Sequence, residues 1–313
     1  RLGAKLSLAA LTALALAAPQ RAEAQNIGFQ INRYEPTPAG TWSFAVEHPW
    51  YSNTRDFAAG LTLNYGHNPL VFGTRAADGT FSQTDVVIAH QLLIHLDLAV
   101  ALFDRLNVSL SLPVTATEKG TPLGGVGPRE TGALGDPRAG LMIRLYGRAE
   151  QDPFSLHLGA NLWFPVNAQL DNAGDVGVRV LPKLVAAGLW RWLRWSASAG
   201  FYYRPEAQLT PNLPDRRGGT IGPAFQLGGY LAYADNVRRF SVGPELLLNT
   251  TVTQDRAFSR DATNLELLLG GTYNLLHEVN VGAAVGIGTL RDPGTPDFRF
   301  LFRIAYAPIR RPA

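Results

Sequence analysis

PFSLHLGANLWFP, residues 153–165, decides the fold. Phe154, Leu156, Leu158, Ala160, Leu162 and Phe164 fall on one side of an extended chain, and Ser155, His157, Gly159, Asn161 and Trp163 fall on the other. Strand side chains alternate with period two, so this strand has one apolar face and one small or polar face. A helix would scatter the same apolar residues all round its surface. Leu106, Val108, Leu110, Leu112 and Val114 repeat the pattern against Asn107, Ser109, Ser111 and Thr115. Phe298, Phe300, Phe302, Ile304 and Tyr306 repeat it against Arg299 and Arg303.

Working outward, the alternation recurs over approximately 57–73, 82–103, 105–117, 135–147, 153–166, 176–189, 192–204, 219–233, 238–250, 261–275, 277–289 and 297–308. Such strands show one face to lipid and the other to a polar lumen. In a bilayer every backbone N–H and C=O must be paired internally, so a strand-built protein closes on itself. The sequence therefore predicts an all-β fold, an antiparallel up-and-down transmembrane β-barrel. Short turns fall near Asp104, Glu150, Arg191, Asp235 and Leu276, and longer connections run through 74–81, 118–134, 167–175, 205–218, 251–260 and 290–296. Bacterial barrels have short periplasmic turns and long extracellular loops, which puts both ends of this set in the periplasm.

Residues 27–48 supply a further hairpin. Ile27, Phe29 and Ile31 alternate with Gly28, Gln30 and Asn32; after a bend at Glu35-Pro36-Thr37-Pro38, Trp42, Phe44 and Val46 alternate again. Fourteen strands is the preferred count. The alternative is twelve, with this segment periplasmic or filling the lumen. Aromatic belts are expected from Trp190, Trp192 and Trp195 at a short turn, and from Tyr202, Tyr203, Tyr233, Tyr273 and Tyr306 near strand ends.

The ends carry an address. Arg1 and Lys5 are a basic start, Leu6 to Ala18 is apolar, and Ala22-Glu23-Ala24 is a small-x-small cleavage site. Residues 1–24 are predicted to be a secretory signal peptide, residues 25–308 the barrel, and residues 309–313 a periplasmic tail or truncated linker. The chain has no cysteine, which excludes disulfides and thiol chemistry. Its net charge is +3. Loss of Arg1, Lys5, Arg21 and Glu23 with the signal peptide leaves about +1, and no basic cluster resembles a nucleic-acid footprint. The expected location is the outer membrane of a Gram-negative cell.

Chemistry is confined to the inward faces. Arg138, Arg144, Arg179, Lys183, Arg194 and Arg204 point inward on one stretch of wall, with His157 among them. Glu245 and Glu266 follow on neighbouring strands, and Arg299 and Arg303 on the last. Inward charge at membrane depth is tolerated where it is paired or meets water, and a basic wall facing acids sorts solutes by charge. The bland reading is that these ions pair and fill the interior. The Gly-rich stretch Gly120–Gly135 lacks the Gly-Lys-Ser/Thr of a phosphate-binding loop. His95 and Asp97 point inward together, but spacing places no Ser nucleophile or second carboxylate beside them; polar pairing in the lumen is expected. No catalytic, cofactor or metal site is predicted.

Several motifs resemble a family. Asn32-Arg33-Tyr34-Glu35-Pro36 followed by Trp42, Leu102-Phe103-Asp104-Arg105-Leu106 leading into Leu110-Ser111-Leu112-Pro113-Val114, and Gly135-Asp136-Pro137-Arg138 are similar to the N-terminal barrels of myxobacterial-type OmpA-family outer-membrane proteins. So are Val242-Gly243-Pro244-Glu245-Leu246 and Ile304-Ala305-Tyr306-Ala307-Pro308. These are strand–turn patterns, silent on substrate and without catalytic residues to transfer. In that family a peptidoglycan-binding domain commonly follows the barrel; these residues contain none. The expectation is a porin-like passive channel for small solutes with a basic lumen wall. The alternative is a structural, anchoring or surface-recognition barrel with a closed lumen. Expected partners are outer-membrane lipid and lipopolysaccharide, small solutes, and envelope or surface partners on the external loops, with no nucleic acid.

Overall fold

The computed structural model describes residues 29–75, 81–123, 127–128, 132–166, 174–208, 220–235, 239–253, 257–260, 262–275, 278–290 and 292–309. The predicted signal peptide, and all but the first residue of the predicted tail, lie outside the described residues.

The described residues form fifteen strands: β1 (Phe57–Arg75), β2 (Phe81–Leu102), β3 (Leu106–Lys119), β4 (Ala133–Leu134), β5 (Arg138–Tyr146), β6 (Ser155–Trp163), β7 (Arg179–Trp190), β8 (Leu193–Tyr202), β9 (Ala207–Gln208), β10 (Thr220–Ile221), β11 (Ala224–Ala234), β12 (Phe240–Thr251), β13 (Thr263–Leu275), β14 (Val279–Leu290) and β15 (Phe298–Tyr306). Twelve of them form the wall. Each pairs antiparallel with its neighbours in sequence, and β1 closes the ring on β15, from Ala59 opposite Tyr306 to His67 opposite Phe298. β4 adds a two-residue patch to β3, and β9 and β10 form a separate ribbon. The shortest staves, such as β6 and β15, have 9 residues, enough to cross a hydrocarbon core when tilted. Among the described residues no helix is long and apolar enough to cross a membrane.

The facing read from sequence holds. On β15, Arg299, Leu301, Arg303 and Ala305 are buried, while Phe298, Phe300, Ile304 and Tyr306 are exposed. On β6, Ser155, His157, Asn161 and Trp163 are buried, with Leu158 outward. The outward residues make a continuous apolar band: Leu96, Leu110, Leu184, Leu269 and Ile287 are all about half exposed. A face of that extent is stable against lipid and not against water. Trp190, Trp192, Tyr203, Tyr233, Tyr273 and Tyr306 are outward as the belt requires. Tyr202 is not: it faces inward, where its hydroxyl accepts a hydrogen bond from Arg179 Nη1 at 2.8 Å.

The preferred count of fourteen strands is overturned. The described part of the predicted N-terminal hairpin forms no strand and adds no stave to the wall; residues 29–55 run through the lumen. On a stave, alternate residues face lipid. Here both members of the alternation are inside: Trp42, Ser43, Phe44 and Val46 are each at most 3 % exposed. Pro36, Pro38 and Pro49 withhold N–H donors that a central strand needs. Gly40, at φ +81°, turns the chain in a way other residues resist.

The segment spans the barrel's height. At the long-loop end, Phe29 and Ile31 pack on Leu70, Phe72, Val87, Ile88 and Ile221. Register shifts after His67 and Phe72 bend the β1–β2 hairpin there. At the short-turn end, Trp50 packs among Ala58, Ala99, Ala101 and Ala305, and Asn53 N donates to Asp104 Oδ1 at 3.0 Å. Asp104 sits in the tight β2–β3 turn, where Leu102 stands opposite Leu106 and Phe103 and Asp104 both have positive φ.

Candidate functional site in the lumen

The lumen is the site, because it is where the buried charge lies. Of the eleven predicted lumen residues, Arg138, His157, Arg179, Lys183, Arg194, Arg204, Glu245, Glu266, Arg299 and Arg303 are buried inside the ring, and Arg144 is partly buried near the short turns. The luminal segment meets most of them.

Four acids hold much of the basic wall, at three heights. At the long-loop end, Arg204 Nη2 lies 2.6 Å from Asp175 Oδ1, and Arg179 lies 3.0 Å from Asp136 and 3.4 Å from Asp175. Burial works to raise the Asp175 carboxyl, but Arg204 first and then Arg179 overcome it and hold it below the ordinary carboxylate range. Asp175 also accepts from the backbone N–H of Gln30 at 2.9 Å, which ties the start of the segment to the wall. Lower down, Lys183 Nζ is 2.5 Å from Glu47 of the segment. Arg144 reaches Asp104 at 3.2 Å.

The other cations serve the segment's backbone and rings. Arg138 Nη2 donates to Pro36 O at 2.6 Å, and its second amino group lies 3.5 Å from Glu35. Trp163 Nε1 donates to the same Glu35 carboxylate at 3.1 Å. Arg194 stacks on the Trp42 ring at 4.1 Å, and Trp42 Nε1 donates to Glu150 at 2.8 Å. Burial pushes the Glu150 carboxyl up, but Arg55, then His48 and Arg194, bring it below its ordinary value. Arg299 forks onto Glu266 at 2.5 and 3.2 Å and stacks on Tyr34 at 4.9 Å. Arg303 donates to Thr37 Oγ1 at 3.0 Å and Ser43 O at 2.9 Å. His157 is held between Tyr51 OH at 2.7 Å and Ser155 Oγ at 2.8 Å.

The expected pairing of His95 with lumen polar groups does not occur. Asp97 Oδ2 accepts from Thr62 at 3.4 Å, but neither ring nitrogen of the fully buried His95 has a hydrogen-bond partner among the described residues. Sequence reasoning also missed Glu35, Glu47, Asp136 and Asp175 as counter-charges. Asp136 lies within the stretch 135–147 and on the parity of Arg138, so its inward facing could have been read; Asp175 precedes its strand, outside the alternation. Glu35 and Glu47 lie in the segment read as a hairpin.

No family model matches the chain, and no curated protein matches it in sequence. Among solved structures, it is similar to an outer-membrane channel from Pseudomonas putida F1, with a TM-score of 0.61, 13% identity, and coverage of 87% of this chain and 100% of that one. It is more loosely similar to the NanC porin, with a TM-score of 0.48, 11% identity, and coverage of 80% and 100%. At these identities the likeness to the Pseudomonas channel shows a shared barrel fold, and the looser one carries no argument.

Proposed function

We propose that the protein is a passive outer-membrane channel for small solutes, with a basic lumen wall, whose bore is narrowed by residues 29–55. The observation that carries this reading is the interior. Eight staves are filled by their own side chains, whereas a wider ring leaves a lumen to be occupied. Here the twelve staves turn many charged and polar groups inward, and the space between them holds a tethered peptide. The fold shared with the Pseudomonas channel supports the same reading. The predicted lumen residues, from Arg138 to Arg303, are proposed as its lining, and lipid with lipopolysaccharide as the medium around the wall. Kinship with OmpA-type barrels is proposed on the strand–turn motifs alone. No catalytic role is proposed.

A second reading is favoured by one observation: the segment is tied to the wall at every height, from Gln30 on Asp175 to Asn53 on Asp104. That suits an anchoring or surface-recognition barrel with a closed lumen and loops for envelope partners. Single-channel recording of the refolded chain in a planar bilayer under a salt gradient separates the two. Steady unitary current supports the channel. A folded barrel that passes no current overturns it and leaves the closed barrel.

A further inference from the structure

The segment is not held equally on all sides of the lumen. On the β12–β13–β15 side, Glu245, Thr272 and Arg303 bind its backbone directly, and Phe44 and Tyr34 pack among Leu268, Ala284 and Leu301. On the β2–β3–β5 side two side chains reach the segment's backbone, Arg138 at Pro36 O (2.6 Å) and Asn107 at Trp50 O (3.2 Å). The inward positions on that side carry Thr115, His95, Asp97, Ser111, Ser109 and Asn107. In register, His95 stands opposite Pro113, Asp97 opposite Ser111, and Ser109 opposite Gly140. Most of these are small, neutral hydrogen-bonding groups in one file along the wall.

Two observations make this file unusual. The first is the unpartnered pair of ring nitrogens on His95, which is 0% exposed; the Thr115 hydroxyl one rung above also has no partner among the described residues. Buried polar groups in native proteins are almost always satisfied, and each exception needs an explanation such as water or a ligand. The second is a cavity of about 20 Å³ on the same side, between Asn107, Ser109 and Asn161 of the wall and Thr41 and Glu47 of the segment. That is room for one water. It exists because position 140 lacks a side chain: a Cβ on Gly140 would lie 2.4 Å from Ser109 Oγ.

We infer that water and small uncharged hydrogen-bonding solutes are held in a file between the segment and the β2–β3–β5 wall, passing Thr115, His95, Ser111, Ser109 and Asn107. The solute part of this inference rests on the channel reading. The guanidiniums of Arg299 and Arg303 are engaged by Glu266 and by the segment, and that of Arg138, opposite Ser111, by Pro36 O and Glu35. The wall of the file then presents hydroxyl, amide and imidazole groups with one carboxylate, Asp97, and the segment adds Glu47, which is paired with Lys183. A neutral polyol or amide matches such a lining better than an anion does.

The chain has no native cysteine, so single cysteines report cleanly. Ser109→Cys and Thr115→Cys lie in the file; Ser241→Cys and Thr272→Cys lie on the opposite side. All four are small replacements. The full barrel, folded in lipid vesicles, is exposed to a small water-soluble methanethiosulfonate, and labelling is read by mass spectrometry. The two file positions should label about tenfold faster or more than the two opposite ones, since thiol reactivity follows access to water. In planar bilayers, labelling at Ser109→Cys should cut the unitary current by about half or more. Equal or reversed labelling rates overturn the file, even where current flows, and leave the channel reading standing. The expected labelling pattern in a barrel that passes no current upholds the hydrated file, and the solute route then falls with the channel reading.

Discussion

Arg303 on β15 and Glu245 on β12 hold opposite poles of one peptide turn. Arg303 donates to the carbonyl oxygens of Ser43 at 2.9 Å and Phe44 at 3.5 Å. Glu245 accepts from the N–H groups of Phe44 at 2.6 Å, Ala45 at 2.8 Å and Val46 at 2.9 Å. Successive N–H groups that converge on a carboxylate form an anion-binding nest. The wall's cation and anion thus neutralise one another through the dipoles of the segment lying between them.

That arrangement makes Glu245 the residue whose loss frees the turn. Glu245→Ala leaves three buried N–H groups without an acceptor and Arg303 without its counterpart across the turn. Hydrogen bonds to charged groups contribute about 1.5–3 kcal/mol each and do not simply add, so a local loss on the order of 3 kcal/mol is expected. At about 1.4 kcal/mol per decade, amide exchange at Ala45 and Val46 should quicken by roughly two decades. The outward band is untouched, so the barrel should still fold. Unchanged exchange would mean that packing of Phe44 alone holds the turn.

The wall was legible from the sequence because lipid and lumen impose opposite demands on adjacent residues. Leu158 must be apolar and His157 is free to be polar, so facing follows from order alone. The segment was not legible for the same physical reason. Trp42, Phe44 and Val46 alternate with smaller residues, but inside a ring every direction is inward, so the alternation carries no facing. Pro36, Pro38 and Pro49 were the contrary signal. Two of the acids that meet the basic wall were illegible too: Asp175 precedes β7 and Arg204 follows β8, so the hairpin ends rather than the alternation bring them together, and threading of the segment brings Glu47 to Lys183.

If the segment sets the width of the bore, removing it must widen the bore. The wall ladder is complete without residues 29–50, because no stave pairs with that segment. A chain deleted over that range should refold and show unitary conductance about fivefold or more above the full chain, as expected for a twelve-stave ring cleared of its filling. Equal conductance from the two proteins would show that ions do not pass where the segment lies.

Strong acid should loosen the long-loop end of the segment. The Asp175 carboxyl is held below its ordinary value in the fold, so its contribution is present above the unfolded value, near 3.8, and is lost as pH falls through the lower folded one. Protonation would weaken its hold on Arg204, Arg179 and the N–H of Gln30 together. Protease susceptibility near Gln30 should therefore rise below about pH 4. Asp175→Asn should show the raised susceptibility already at pH 7, with a flatter acid profile. A variant that keeps the full acid step would assign that step to another carboxylate.

The outward band supplies the last test, and it separates lipid contact from mere exposure. Leu110, at the middle of the outward face of β3, is 54% exposed; Tyr146, at the short-turn end of β5, is 67% exposed. Judged by exposure in water, arginine should be tolerated at both, and slightly better at Tyr146. Judged against a bilayer, depth decides. A cation at the midplane costs about 2–4 kcal/mol and one near the interface about 0–1 kcal/mol, where a long side chain can reach water. Leu110→Arg should therefore lower the folding free energy in lipid vesicles by the larger amount, and Tyr146→Arg by little beyond its lost ring. Reversible denaturant unfolding in vesicles measures both. Equal small losses would mean that the band around Leu110 does not sit in hydrocarbon, and the transmembrane placement of β3 would have to be withdrawn.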